Sequence, residues 1–252
     1  MAGRAIVLDR PTFNTRTQVA VNALESSLLL TPGLRNYLNP DVPYLQPQKF
    51  LDEAAGLPVS ATPGALPIIS TGPNGHPMFD FRTGANPYLT MALPLFPADH
   101  EFVMALLAPP ATLHGSDNAF LLATFIGGVQ HEWFYRAGGT TLLFVENVDT
   151  ATNISTDISG LTADNGSYIL GYRRQGGTAS IYLNDPVTPI RTGALTANAA
   201  LTGASVSFGG GPGVSTNGLD GLLGKVLHLD PAAFGDAERT TLFNSLKTYY
   251  GL

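Results

Sequence analysis

Ser167-Tyr168-Ile169-Leu170-Gly171-Tyr172-Arg173-Arg174, then Thr178-Ala179-Ser180-Ile181-Tyr182-Leu183 and Asn184-Asp185-Pro186, is the stretch from which the rest of the chain can be read. Tyr168, Leu170 and Tyr172 recur at every second position, and so do Ala179, Ile181 and Leu183. Successive side chains of an extended chain point to opposite faces, so this period predicts strands with one face buried and one exposed. Asn184-Asp185-Pro186 then turns the chain.

Outward from this pair, from about His76 onward, apolar runs alternate with Gly, Asn, Asp and Pro turns, as in the strands of a sandwich. The pattern predicts strands at Pro77–Phe81, Tyr88–Ala92, Glu101–Leu107, Ala119–Phe125, Glu132–Tyr135, Thr141–Val145, Ser167–Arg174, Thr178–Leu183, Ala204–Phe208 and Gly221–Leu229. At the end, Asp236 can cap a helix over Ala237–Tyr250 with Glu238 in its first turn. Leu242, Phe243, Leu246 and Tyr250 form the apolar stripe, and Gly251 ends it. Residues 1–75 read differently. Prolines recur from Pro11 to Pro73, each lacking an amide donor, so regular structure is interrupted. Val21, Leu24 and Leu28 predict one short helix within Thr17–Leu30, and a further turn or two is expected from Pro47 to Ala55. The remainder reads as an extended, apolar arm.

The 252 residues suffice for one sizeable core; 44% are hydrophobic and only 13% charged. Average globular proteins carry about 25% charged residues. A weakly charged surface suits packing on neighbours, although a sandwich also needs less charge than a helical protein. Net charge is −6, and Arg173-Arg174 is the only adjacent basic pair, which argues against nucleic-acid binding. The absence of cysteine excludes disulfides, thiolate metal sites and cysteine nucleophiles. No signal peptide is expected after Arg4, and no run reaches the ~18 apolar residues of a membrane span.

His76-Pro77-Met78-Phe79-Asp80-Phe81 with Asn86-Pro87-Tyr88-Leu89 resembles the opening hairpin of LamG-type, concanavalin A-like jelly rolls. Ser180–Asp185, Val206–Gly210, Leu219–Leu229 and the closing Asp230–Leu252 resemble later segments of that family in the same order. Asp185 departs from the family's turn glycine, and no acidic calcium pair falls at matching places. The resemblance covers residues 76–252 and implies a mainly β fold: a two-sheet antiparallel jelly-roll sandwich with a short C-terminal helix, preceded by an irregular, partly helical N-terminal arm over residues 1–75. Domains with this closing helix are common in bacteriophage and bacterial surface proteins.

The chemistry of catalysis is hard to assemble from this sequence. Glycoside hydrolysis needs two carboxylates about 5–9.5 Å apart. Only Asp99 and Glu101, flanking His100, come near that spacing. His131 and Glu132 are neighbours on a strand and face opposite ways. There is no G-x-S-x-G elbow or phosphate loop, and the five histidines are dispersed. Asp149, Asn153, Asp157, Asp164 and Asn165 could supply oxygens to calcium or serve ordinary turns. Trp133, the sole tryptophan, with Tyr135, Arg136 and Glu132, is the candidate glycan platform. Three expectations follow. The first is a non-enzymatic virion component, a decoration, head-fibre or tail protein, assembled in the host cytoplasm, anchored to other assembly proteins by its arm and homo-oligomeric, naturally a trimer. The second is a carbohydrate-binding adhesin or receptor-binding module for a host glycan, and the third a glycan-cleaving enzyme.

Overall fold

A computed structural model describes residues 23–41, 50–52, 54–61, 68–82, 88–107, 119–136, 142–147, 152–157, 167–196, 200–212, 218–219 and 221–252. In chain order these form α1 (Ala23–Leu29), β1 (Leu34–Leu38), β2 (Phe50–Leu51), β3 (Pro58–Ala61), β4 (Ile68–Thr71), β5 (Pro77–Asp80), β6 (Leu89–Phe96), β7 (His100–Leu107), β8 (Ala119–Ile126), β9 (Val129–Arg136), β10 (Leu142–Asn147), β11 (Thr152–Asp157), β12 (Ser167–Gln175), β13 (Thr178–Leu183), β14 (Arg191–Ala194), β15 (Leu201–Phe208), β16 (Leu222–Leu229) and α2 (Asp236–Tyr250).

Two antiparallel sheets result. The first runs β14-β13-β12-β7-β16-β5-β4, and the second runs β11-β10-β9-β8-β15-β6-β3-β2. β16 has β7 on one edge and two strands on the other, β5 at Leu222–Leu223 and β1 at Val226–Leu229. The ten expected strands are all present, several a residue or more longer. β6 continues past Pro94 because β3 pairs only with Leu89–Met91, so the missing amide leaves no bond unmade there.

The inner faces share one core. Phe102, Met104, Leu106, Tyr168, Leu170, Tyr172 and Ile181 from the first sheet meet Met91, Leu93, Leu122, Phe134, Val145, Val206 and Phe208 from the second. The outer face of the first sheet is also covered. Val103, Ala105, Ile169, Leu227 and Leu229 pack against Leu242, Phe243, Leu246 and Tyr250 of α2 and Leu28 of α1. β7 and β16 are therefore apolar over most of their length, because both of their faces are buried; His100, Glu101, Lys225 and His228 are the polar exceptions.

Of the two ways open to the arm, packing on its own domain or on a neighbour, the described residues take the first. The described part of residues 1–75 belongs to the sandwich by main-chain pairing: β1 on β16, β2 and β3 on the edge of the second sheet, and β4 on β5. No break in the sheets falls at residue 75. Within Pro47–Ala55, Phe50–Leu51 is a strand, not a helical turn. Asp52 follows it and accepts the amides of Ala54, Ala55 and Tyr37, which fixes a turn against β1. The expected helix of Thr17–Leu30 is present as α1; residues 17–22 lie outside the described residues. At α2 the cap is Gly235, whose amide donates to Glu238 at 3.0 Å, and Asp236 instead pairs with Arg239 at 2.7 Å.

Gly224 shows how tightly α2 sits. A Cβ there would stand 2.3 Å from the Tyr250 hydroxyl and 3.0 Å from Ala105 Cβ. That hydroxyl accepts the Lys225 amide at 2.9 Å. Gly224→Ala is therefore expected to destabilise the fold by about 1–3 kcal/mol, the usual cost of overpacking, and thermal unfolding followed by circular dichroism measures it.

Candidate functional site

Register places a row of side chains across the outer face of the second sheet. Asn153 stands opposite Glu146, Glu146 opposite Trp133, Trp133 opposite Ala123, Ala123 opposite Ser207, and Ser207 opposite Thr90. The Trp133 indole is partly buried and packs edge-on against Phe120 (centroids 4.9 Å apart, planes at 82°) and Tyr135 (5.7 Å, 86°). Its Nε1 is buried and has no hydrogen-bond partner among the described residues. The Tyr135 hydroxyl donates to Glu146 Oε2 at 3.0 Å. Burial and that carboxylate together push the phenol above its ordinary range. Trp133 and Tyr135 thus share a face as expected, beside an acidic acceptor contributed by β10.

Glu132 does not join them, which corrects its place in the expected platform. Alternation turns it inward between Trp133 and its neighbours, into the core. The Arg136 side chain lies outside the described residues. Inside, Glu132 Oε1 is 2.8 Å from His100 Nε2, while Oε2 accepts from Arg174 Nη1. His100 Nδ1 is 3.1 Å from the Pro97 carbonyl, and Arg174 Nη2 donates to the Thr196 carbonyl. His100 and Arg174 face each other across β7 and β12 of the first sheet, whereas Glu132 comes from β9 of the second. The triad therefore bolts the two sheets together. Burial would push the Glu132 carboxyl up, but His100 and Arg174 outweigh it and hold the group below the ordinary carboxylate range. All three residues are about 1% exposed, so this acid, base and cation have no route to a substrate.

Glu101 is equally sealed, on the opposite face of β7. Its carboxylate receives Arg239 Nε at 2.6 Å, Arg239 Nη2 at 3.1 Å and Arg173 Nη1 at 3.2 Å, all beneath α2. Asp99, its expected companion, stays at the surface and accepts the Gly176 amide at 2.9 Å. Asp99 precedes β7, in the turn that enters it, while Glu101 is buried on Arg239, so the Asp99/Glu101 spacing does not make a catalytic pair.

Of the calcium candidates, Asp149, Asp164 and Asn165 lie outside the described residues, and Asn153 and Asp157 sit four positions apart along β11. That separation is about 13 Å in a strand, too far for one ion. No group of three or more acidic, His or Cys side chains converges among the described residues. The ion networks escaped sequence reasoning because their members are far apart in the chain. One signal was present: Arg174 shares the apolar face of Tyr168, Leu170 and Tyr172, and a cation on such a face implies a buried partner.

No family model matches the chain, and no curated protein does. Solved structures do. The botulinum neurotoxin serotype D binding domain superposes with a TM-score of 0.61 at 10% identity, over 86% of this chain and 52% of that one. Trypanosoma rangeli sialidase in complex with sialic acid gives 0.60 at 14% identity, over 85% and 33%. The binding domain of botulinum neurotoxin DC in complex with SialylT gives 0.55 at 11%, over 87% and 52%. The chain thus spans about half the length of these toxin binding domains and a third of the sialidase. At these identities the likeness establishes the fold: an antiparallel β-sandwich.

Proposed function

We propose that this chain is a non-enzymatic carbohydrate- or receptor-binding module of LamG type, and that it binds through the outer face of the second sheet around Trp133. The observation that carries this reading is the Trp133–Tyr135–Glu146 cluster. An indole flank offers area to the C–H face of a sugar ring, and a carboxylate beside it can accept sugar hydroxyls. The sandwich neighbours include a sialidase with sialic acid and a toxin binding domain with SialylT, which supports recognition of glycans by such scaffolds. Fold alone does not carry function, so the weight rests on the cluster. Glu101 and Glu132, the carboxylates that a hydrolase would use, are committed to arginines in closed surroundings. The described arm strands pair with the chain's own sheets, which favours the binding reading over anchoring by those strands.

Trp133 is the only tryptophan, so its emission reports directly on this face. Titration with neutral and sialylated oligosaccharides is expected to shift that emission for at least one class. Trp133→Ala is expected to weaken binding measured by calorimetry roughly thirtyfold, the effect of losing an aromatic anchor worth about 2 kcal/mol. Undiminished binding by a folded Trp133→Ala variant, or no binding across a glycan array, would reject the proposal.

A further inference from the structure

The segment from α1 to Asp41 is held on β16 by two sets of titratable contacts. The first is in the core. Asn36 of β1 stands opposite His228 of β16, and His228 Nδ1 lies 2.7 Å from Asn36 Oδ1. Asn36 Nδ2 already donates to Asp52 Oδ2 at 2.9 Å, so Asn36 Oδ1 is the acceptor and His228 Nδ1 carries the proton. The basic nitrogen, Nε2, is then buried with no hydrogen-bond partner among the described residues. The His228 ring lies stacked on Phe102 (4.5 Å, 9°) and Phe96 (5.9 Å, 20°). The second set surrounds Lys225. Its Nζ donates to Glu25 Oε1 at 2.5 Å, Asn39 Oδ1 at 2.6 Å and Asp41 Oδ2 at 2.5 Å, and Tyr37 and Tyr249 hydroxyls donate to the same two carboxylates.

We infer that residues 23–41 form an acid-releasable clasp, which acidification frees from β16 while the sandwich itself stays folded. A proton added at His228 Nε2 would be a buried charge facing ring carbons, with no acceptor. The charged groups around it offer no relief. His100 of β7 is 6.4 Å away, and Arg35 of β1 is positive and paired with Asp230 at 2.9 Å. Arg174 of β12 is committed to Glu132 of β9, and Glu132 also to His100. Asp52 is turned toward Asn36 and the β1 amides. Burial, His100 and Arg35 accordingly hold His228 well below the ordinary imidazole range.

The sign follows from linkage. A histidine whose folded pKa is depressed favours the closed clasp fully above the free value near 6.5. The advantage falls roughly tenfold per pH unit below it, because the released state takes up the proton. Release is expected to be local, because β16 is the one strand that pairs with β1 among the described residues. It would uncover apolar surface on the first sheet, where Leu28 and Tyr37 now cover Leu227, Leu229 and Phe234.

Hydrogen exchange read by mass spectrometry, on the full chain from about pH 7.5 to about pH 5 and corrected for intrinsic rates, tests the clasp. Protection of α1 and β1 is expected to fall about tenfold per unit from near pH 6.5, with β12 and β13 unchanged. His228→Gln keeps an amide donor for Asn36, and His228→Phe keeps the ring stack; neither can take up a proton. In both, the loss of protection that sets in near pH 6.5 is expected to disappear. An onset still near pH 6.5 in both variants, equal loss over β1, β12 and β13, or no loss in the native chain would overturn the inference.

Discussion

Replacing Arg174 with methionine is expected to cost about 3–5 kcal/mol of folding free energy, the usual penalty for breaking a buried ion pair from one side. Arg174 is fully buried, and its guanidinium satisfies both the Glu132 carboxylate and the Thr196 carbonyl. Methionine fills much of the volume but leaves half of a buried carboxylate unpaired, with only His100 to hold it. In a chain of this size the melting temperature should drop by on the order of 10 °C. Urea and thermal unfolding followed by circular dichroism measure both. The acid limb should move as well. Glu132 is held below the ordinary carboxylate range, so its contribution is present above its unfolded pKa and is lost as pH falls through the folded one. Without Arg174 that loss should begin at higher pH. Converting the whole triad to apolar residues, with His100→Phe and Glu132→Leu added, should recover most of the stability, because no charge is then left behind. A single Arg174→Met variant as stable as the native chain would show that the triad does not bolt the sheets.

Lys225→Met is the second large effect, again about 3 kcal/mol or more, because it strands two carboxylates where water is scarce. Glu25 and Asp41 both turn to Lys225 Nζ, and Tyr37 and Tyr249 hydroxyls are built around that charge. The loss should register first in α1 and β1, since Glu25, Asn39 and Asp41 all belong to the N-terminal segment. Adding Glu25→Gln and Asp41→Asn removes the stranded charges and should return a substantial part of the loss. Failure of that rescue, with intact native β1 protection in Lys225→Met, would mean that the main-chain pairing of β1 with β16 holds the segment alone.

The strands that sequence reasoning located share a property: each carries its own signal. β12 and β13 alternate, while β7 and β16 are apolar runs bounded by turns. Four of the strands it missed carry little. β2 is two residues long, β3 opens on Pro58, β11 reads Thr-Asn-Ile-Ser-Thr-Asp, and β14 contains Gly193. Such segments become strands because a neighbouring edge offers amides and carbonyls to pair with, and that offer is invisible in the segment itself. β14 and β11 illustrate this at the two sheet edges, where Gly193 lies so close to Ile154 that a Cβ would stand 2.5 Å from its methyl group.

The candidate site divides in the same way. That Trp133 and Tyr135 share one face while Glu132 takes the other is a consequence of local period, and it was legible in Glu132–Tyr135. Which face was core and which was outside was not, because that depends on where the other sheet lies. By itself the sequence determined the class of fold, the ten signal-bearing strands, the closing helix and the alternation along each strand, since these follow from side-chain spacing within a few residues. Only the tertiary structure decided that Glu132 meets His100 and Arg174, that Lys225 holds Glu25 and Asp41, and that the described strands of residues 1–75 join the two sheets. The ion contacts join residues separated by 32 to 200 positions, and a buried charge finds its partner through space, where no local periodicity can record it.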